Sequence, residues 1–284
     1  MEYSIIVNNI TKRYNEFALE EVSLKLPKGS IMGLIGENGA GKTTLIKLIL
    51  GLQKGESGEI SLWGYDSNTL PNHVRENIGV VLDESCFPEN LNAHQISKVM
   101  KSIYGNWDEN NFKKYAEYFD LSPKKAVKQY SKGMKMKLSI AVALSHHAKL
   151  LILDEATSGL DPVVREELLD VFLDFIQDEE NSILISSHIT SDLEKACDYI
   201  SVINDGKIIL SDVKDDILDR YGMLKCSEEE FQAIPKDVVV GFKRSSFGMC
   251  ALVDRNKLAG RNAGHRYVID KVSLEDVLLY SVRG

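Results

Sequence analysis

The stretch GENGAGKTT, Gly36 to Thr44, constrains this chain more than any other. It satisfies the pattern GxxxxGK[ST] in full and stands between an apolar strand, SIMGLI, and an apolar helix, TLIKLILG, the setting that gives the pattern physical meaning. Glycines let backbone N–H groups turn inward on phosphates. Gly36, Asn38, Gly39, Gly41, Lys42, Thr43 and Thr44 are therefore candidate phosphate-binding residues. Lys42 is placed to reach terminal phosphates and Thr43 to offer its hydroxyl to a magnesium ion. A glycine-rich turn with an incidental lysine is the competing reading, and the flanking strand and helix weigh against it.

Three further segments carry chemistry. In KLLILDEATSGLDP, Leu150 to Leu153 is apolar enough for a central strand, with Asp154 and Glu155 at its carboxyl end, where ligands of open α/β sheets gather. Asp154 suits a magnesium shell, usually through water, and Glu155 suits a base acting on an attacking water. A merely solvated strand end is the alternative. His188 closes the buried-looking strand SILISSH, from which it can touch a γ-phosphate; alone, it reads as a core histidine. YSKGMKMKLSIAVALS opens with Ser131 as an N-cap and carries apolar residues at Met134, Leu138, Ala141 and Val142. Its unpartnered N–H groups and partial positive charge make a ready anion site, although on this segment alone an ordinary capped core helix is the preferred reading.

The bulk numbers bound the rest. The 284 residues, 44% hydrophobic and 27% charged, allow one large domain with an appendage. A net charge of -8 argues against a general nucleic-acid binder. Cys86, Cys197, Cys226 and Cys250 are scattered, which indicates neither a disulfide framework nor a zinc site. The adjacent His146 and His147 read as surface residues on a helix. No segment has the pattern of a signal peptide or a membrane span. Ile5 to Gly29 predicts short antiparallel strands. Ile96, Val99, Met100 and Ile103, then Phe112, Tyr115, Ala116 and Phe119, predict two amphipathic helices. SVINDGKIIL predicts a hairpin turning at Asp205-Gly206. Beyond Ser211, VVVGFKRSS, GMCALVDR and RYVIDKV look like strands of a small sheet, followed by a helix capped at Ser273.

In combination, GENGAGKTT, YSKGM, LLILDE, SGLD and His188 resemble, in that order, the Walker A, signature, Walker B, D-loop and switch histidine of an ABC transporter nucleotide-binding subunit, over about Ser4 to Leu210. The resemblance implies an α/β P-loop NTPase (ABC ATPase) fold in which residues 1–210 form the ATPase domain. That domain would hold an antiparallel β subdomain and a helical insert over about 84–130, with a small α+β C-terminal appendage over 211–284. It implies ATP and Mg2+ as ligands. Tyr14, in ITKRYNEF, would stack on adenine, unless it is an ordinary strand aromatic, and Asp161 would be the D-loop acid joining two nucleotide sites. Ser131 and Gly133 would face the nucleotide of a second subunit, so ATP would be buried between two copies. A membrane-spanning permease would be the other partner, holding the chain at the cytoplasmic face of the cell membrane.

Two positions depart from the family pattern. YSKGM stands where LSGGQ is usual, keeping Ser131 and Gly133 while Tyr130, Lys132 and Met134 differ. Asp83, in IGVVLDES, stands where a glutamine is usual. The change puts the family's usual magnesium and water contact in question: Asp83 would hold the ion through a bridging water, or Glu84 would substitute after a register slip. Such variants look like bacterial ATPases serving exporters of peptides, antibiotics or similar compounds. The rival class is a soluble ABC ATPase that moves no solute, such as the iron–sulfur assembly type. A P-loop GTPase is rejected, because Asn256-Lys257-Leu258-Ala259 lacks the aspartate of a guanine reader.

Overall fold

A computed structural model describes residues 2–83, 86–245, 248–259 and 268–282. Two strands open the chain, β1 (Tyr3–Arg13) and β2 (Ala18–Pro27). They are long rather than short, because bulges in their antiparallel register bend the ribbon without ending it. Next come β3 (Ile31–Ile35), the glycine loop and α1 (Lys42–Ile49). Strands β4 (Ser57–Leu62) and β5 (Tyr65–Asp66) complete a four-stranded sheet ordered β2-β1-β4-β5.

The short helix α2 (Asn72–Arg75) leads to β6 (Ile78–Val81). The insert follows as α3 (Ala93–Ile103), started by a reciprocal Asn92–Gln95 capping box, and α4 (Glu109–Tyr118), capped by Asp108. Of its predicted stripe, Ile96, Phe112 and Phe119 are buried, whereas Val99 and Ile103 face outward. After α5 (Lys132–Leu144), the chain alternates β7 (Leu150–Asp154), α6 (Pro162–Phe175), β8 (Ser182–Ser187), α7 (Thr190–Ala196) and β9 (Tyr199–Asn204). Asp205 and Gly206, with φ of 45° and 74°, then make a hairpin turn into β10 (Lys207–Val213).

These strands build a six-stranded sheet ordered β10-β9-β3-β8-β7-β6, parallel except at β10. Every residue of β3, β7 and β8 is buried, as parallel strands covered on both faces require. Strand β10 continues to Val213, so a boundary at 210 falls inside it.

Helix α8 (Lys214–Arg220) and β11 (Tyr221–Cys226) begin the C-terminal part. It continues with α9 (Glu228–Gln232), β12 (Val239–Ser245), β13 (Gly248–Asp254), α10 (Arg255–Ala259), β14 (Ile269–Asp270) and α11 (Leu274–Val282). Its sheet runs β12-β13-β11-β14, with the unforeseen β11 inside. Arg266 and Tyr267 of the expected strand RYVIDKV and Ser246 of VVVGFKRSS lie outside the described residues. Ile217, Met223, Leu252, Val277 and Tyr280 share one buried cluster with Leu151, Leu153 and Val202, which seats the appendage on the main sheet.

His146 corrects the surface reading. It lies past the end of α5 and only 1% exposed, with its ring stacked on Tyr104 at 4.1 Å and Nδ1 3.0 Å from the Glu76 carbonyl oxygen. Burial lowers its pKa, against the raising effect of that carbonyl. The unfolded chain therefore binds a proton, near the ordinary imidazole value of about 6.5, that the folded chain refuses. Stability is full above that pH and falls as pH drops below it, by at most about 1.4 kcal/mol per pH unit for one proton. Denaturant titrations from pH 7.5 to 5 should show this slope flattened in His146→Gln; parallel slopes for both proteins would contradict the assignment.

Candidate functional site

The adjacent parallel strands β3, β8, β7 and β6 end at one edge of the sheet, so their carboxyl ends deliver the phosphate loop, His188, Asp154 with Glu155, and Asp83 to the same place. Gly41 is glycine for two reasons: its φ is 111°, and a Cβ there would come within 2.8 Å of both Leu19 and Phe17 side chains. At Gly36 a Cβ would meet the Ile203 carbonyl oxygen at 2.4 Å. Helix α1 starts immediately afterwards with no side-chain cap, leaving its first N–H groups available to an anion. Lys42 is 5% exposed, and its ammonium donates to the carbonyls of Gly36 (2.6 Å) and Glu37 (3.2 Å).

The acids at the end of β7 are fixed by hydroxyls. Asp154, 3% exposed, accepts from Thr43 Oγ1 at 2.8 Å and from Ser186 Oγ at 2.6 Å. Ser186 in turn accepts from the Glu155 backbone N–H at 3.0 Å. That bond helps hold Glu155 at φ 52°, an uncommon conformation for this residue type. One carboxylate oxygen of Glu155 accepts from His188 Nδ1 at 2.7 Å. The other lies 3.1 Å from Lys42 Nζ, is buried and accepts no hydrogen bond. Among the described residues no group of three or more His, Cys, Asp or Glu could hold a metal alone. The oxygen donors of Thr43 and Asp154, 2.8 Å apart, nevertheless fit magnesium, which keeps waters and takes its remaining ligands from phosphate rather than from an all-protein cage.

Asn38, Gly39, Gly41, Lys42, Thr43, Thr44, Asp83, Glu155 and His188 line one open cleft. Ser131, Gly133 and Asp161 do not line it. Ser131 caps α5 through the Met134 N–H at 3.2 Å, and the exposed Asp161 caps α6 through the Val164 N–H at 3.1 Å. The aromatic at the cleft is Phe17. Tyr14 packs beside Phe17, ring centroids 6.4 Å apart, and its hydroxyl donates to Gln53. Asp83 lies at the rim, 3.2 Å from Lys132 Nζ, and Glu84 lies outside the described residues.

Comparison with known proteins agrees with this geometry. Residues 19–158 match the family model described as ABC transporter. The bacitracin transport ATP-binding protein BcrA of Enterococcus faecalis is 34% identical over 74% of this chain and 69% of its own length. The lantibiotic transport ATP-binding protein SrtF of Streptococcus pyogenes is 38% identical over 72% of this chain and 88% of its own. This chain belongs to the ABC transporter ATP-binding subunits. A solved ATP-binding subunit of an ABC transporter superimposes with a TM-score of 0.66 at 28% identity, covering 76% of this chain and 92% of that one. The protein is accordingly an ATPase subunit with the P-loop fold.

Within this ABC subunit, the structure brings two residues to the site that the sequence did not single out, Ser186 beneath Asp154 and Phe17 at the cleft. Ser186 interrupts an otherwise apolar central strand, and a hydroxyl there must find partners. Phe17 could be told from Tyr14 only by knowing how β1 and β2 bring the connecting turn against Gly41. If Phe17 stacks on the base, Phe17→Ala should weaken ATP binding at least about 5-fold, the lower end of the scale for one lost base–aromatic stack, with a smaller loss for Tyr14→Ala. Equilibrium titration with ATP checks this, and a larger loss at Tyr14 would return the stacking role to that residue.

Proposed function

We propose that this subunit binds MgATP between the phosphate loop of one copy and the Ser131 helix start of a second. Hydrolysis there would drive export of peptide antibiotics or similar compounds through a separate membrane-spanning partner. The observation that carries the ATPase assignment to particular residues is the state of the Glu155 carboxylate. His188 holds one oxygen, and the other is buried in the cleft, ion-paired with Lys42 at 3.1 Å, where it faces the position of the phosphates that Lys42 would bind.

The residues divide the work. Backbone N–H groups of the loop and of α1 would bind phosphate oxygens, and Lys42 would turn from the Gly36 and Glu37 carbonyls to the terminal phosphate. Thr43 and Asp154 would hold magnesium, whose charge, when bound, offsets that of the phosphates. Asp83 would reach the same ion through water from the cleft rim. Glu155 would orient and deprotonate the attacking water, and His188 would keep its carboxylate from turning away. Ser131 and Gly133 would complete the site of the other copy, and Asp161 would connect the two sites.

Support for a membrane partner comes from the groove between β6, the insert and the end of α1. It is lined by Leu50, Leu52, Val80, Ile103 and Tyr104 and edged by Arg75 and Glu76. Leu52 and Ile103 are 64% and 59% exposed, an unusual cost for a surface with no use for them. Among the described residues no helix is long and apolar enough to cross a membrane. We propose that a permease segment occupies this groove and holds the subunit at the cytoplasmic face. The transport subunits among its relatives favour this over the iron–sulfur assembly alternative.

Glu155→Gln keeps the shape of the side chain and loses its basicity. ATP binding should persist, turnover should fall by about 10²- to 10⁴-fold, and an ATP-stabilised dimer should accumulate on gel filtration. Near-normal turnover would remove Glu155 from the base role.

A further inference from the structure

Lys132 and Asp83, the two departures from the family pattern that bear charge, meet in space. Lys132 Nζ lies 3.2 Å from Asp83 Oδ1, although the residues are far apart in sequence, and each side chain is about half exposed (51% and 52%). Lys132 is the first residue of α5, where a positive charge is unfavourable because the helix start is itself partially positive. Asp83 lines the ATP cleft with Lys42, Thr43 and Glu155, and adds an acid to a place that must receive a polyanion. Each residue alone is electrostatically misplaced, and together they cancel. The stem of Lys132 also lies over Gly159, where a Cβ would be 3.2 Å from Nζ and 3.9 Å from Cδ and Cε. Gly159 has φ 68° and follows Ser158, another cleft residue.

From this juxtaposition we propose that Lys132 is a positioning residue for nucleotide binding: it neutralises Asp83 and holds it at the cleft rim, so that the triphosphate enters without meeting an uncompensated carboxylate. The inference deepens the ATPase reading and rests on it. Lys132 pairs with Asp83 through its charge, whereas the rest of the side chain only covers Gly159. The two contributions separate experimentally, because methionine keeps a stem of similar length without the charge and arginine keeps the charge.

The test is equilibrium binding of ATP in EDTA, where no hydrolysis intervenes and no metal shields the phosphates, in wild type, Lys132→Met, Lys132→Arg, Asp83→Asn and the Asp83→Asn/Lys132→Met double variant. Lys132→Met should weaken ATP about fivefold, the upper scale for a half-exposed charge pair, and Lys132→Arg should bind within about twofold of wild type. In the Asp83→Asn background the methionine substitution should cost less than about twofold. Raising salt should shrink the Lys132→Met penalty. In steady state with magnesium, Lys132→Met should raise KM more than it lowers kcat. An equal penalty with and without Asp83, or no penalty at all, would overturn the pairing. A well-folded wild type that binds no ATP even with magnesium present would instead overturn the reading beneath it.

Discussion

The Lys42 ammonium is the constraint to which the rest of the site answers. A charge this deeply buried costs several kcal/mol unless oxygens surround it, and the structure supplies two carbonyls of its own loop and the Glu155 carboxylate. Those oxygens converge only because β3 lies beside β8 and β7 follows β8 in the sheet, so that loop, carboxylate and histidine leave neighbouring strand ends. Phosphate oxygens can take over from the carbonyls without leaving the ammonium bare. Glu155 keeps His188 on one oxygen and Lys42 beside the other.

Much of this was legible in the chain because the informative patterns are local. A glycine loop between apolar runs, two acids closing an apolar strand and a serine opening a helix each state their geometry within a few residues. Helix α6 begins at Pro162, as proline at a first helical position allows. What escaped depends on pairings between distant segments. His146 is buried because Tyr104 of the insert stacks on it. Strand β11 lies inside the C-terminal sheet because β13 and β14 flank it, although YGMLKC alone carries no such signal. Position 210 falls within β10 because that strand pairs with β9 through Val213, a matter of register rather than composition.

Charge is organised on two scales. The chain as a whole is acidic, at -8, yet its cleft must hold ATP against Asp83, Asp154 and Glu155. The structure meets this locally: hydroxyls of Thr43 and Ser186 occupy Asp154, and Lys132 occupies Asp83. Substitutions that look like losses of a family motif thus read as an exchange of two neutral residues for an ion pair. Ser131 and Asp161 cap helices away from their own cleft, as the proposed sharing of sites with a second copy requires.

That sharing of sites is the central claim, and a mixed dimer tests it most directly. One chain carries Lys42→Ala, which disables its phosphate loop; the other carries Ser131→Arg, which puts a bulky cation into its helix start. If sites are built from two copies, the mixed dimer has one site with both lesions and one assembled from the intact Lys42 of the second chain and the intact Ser131 of the first. The measurement is a single round of hydrolysis on the purified mixed dimer with enzyme in excess. The account predicts one competent site per mixed dimer and none in either homodimer. A well-folded mixed dimer without hydrolysis would contradict it.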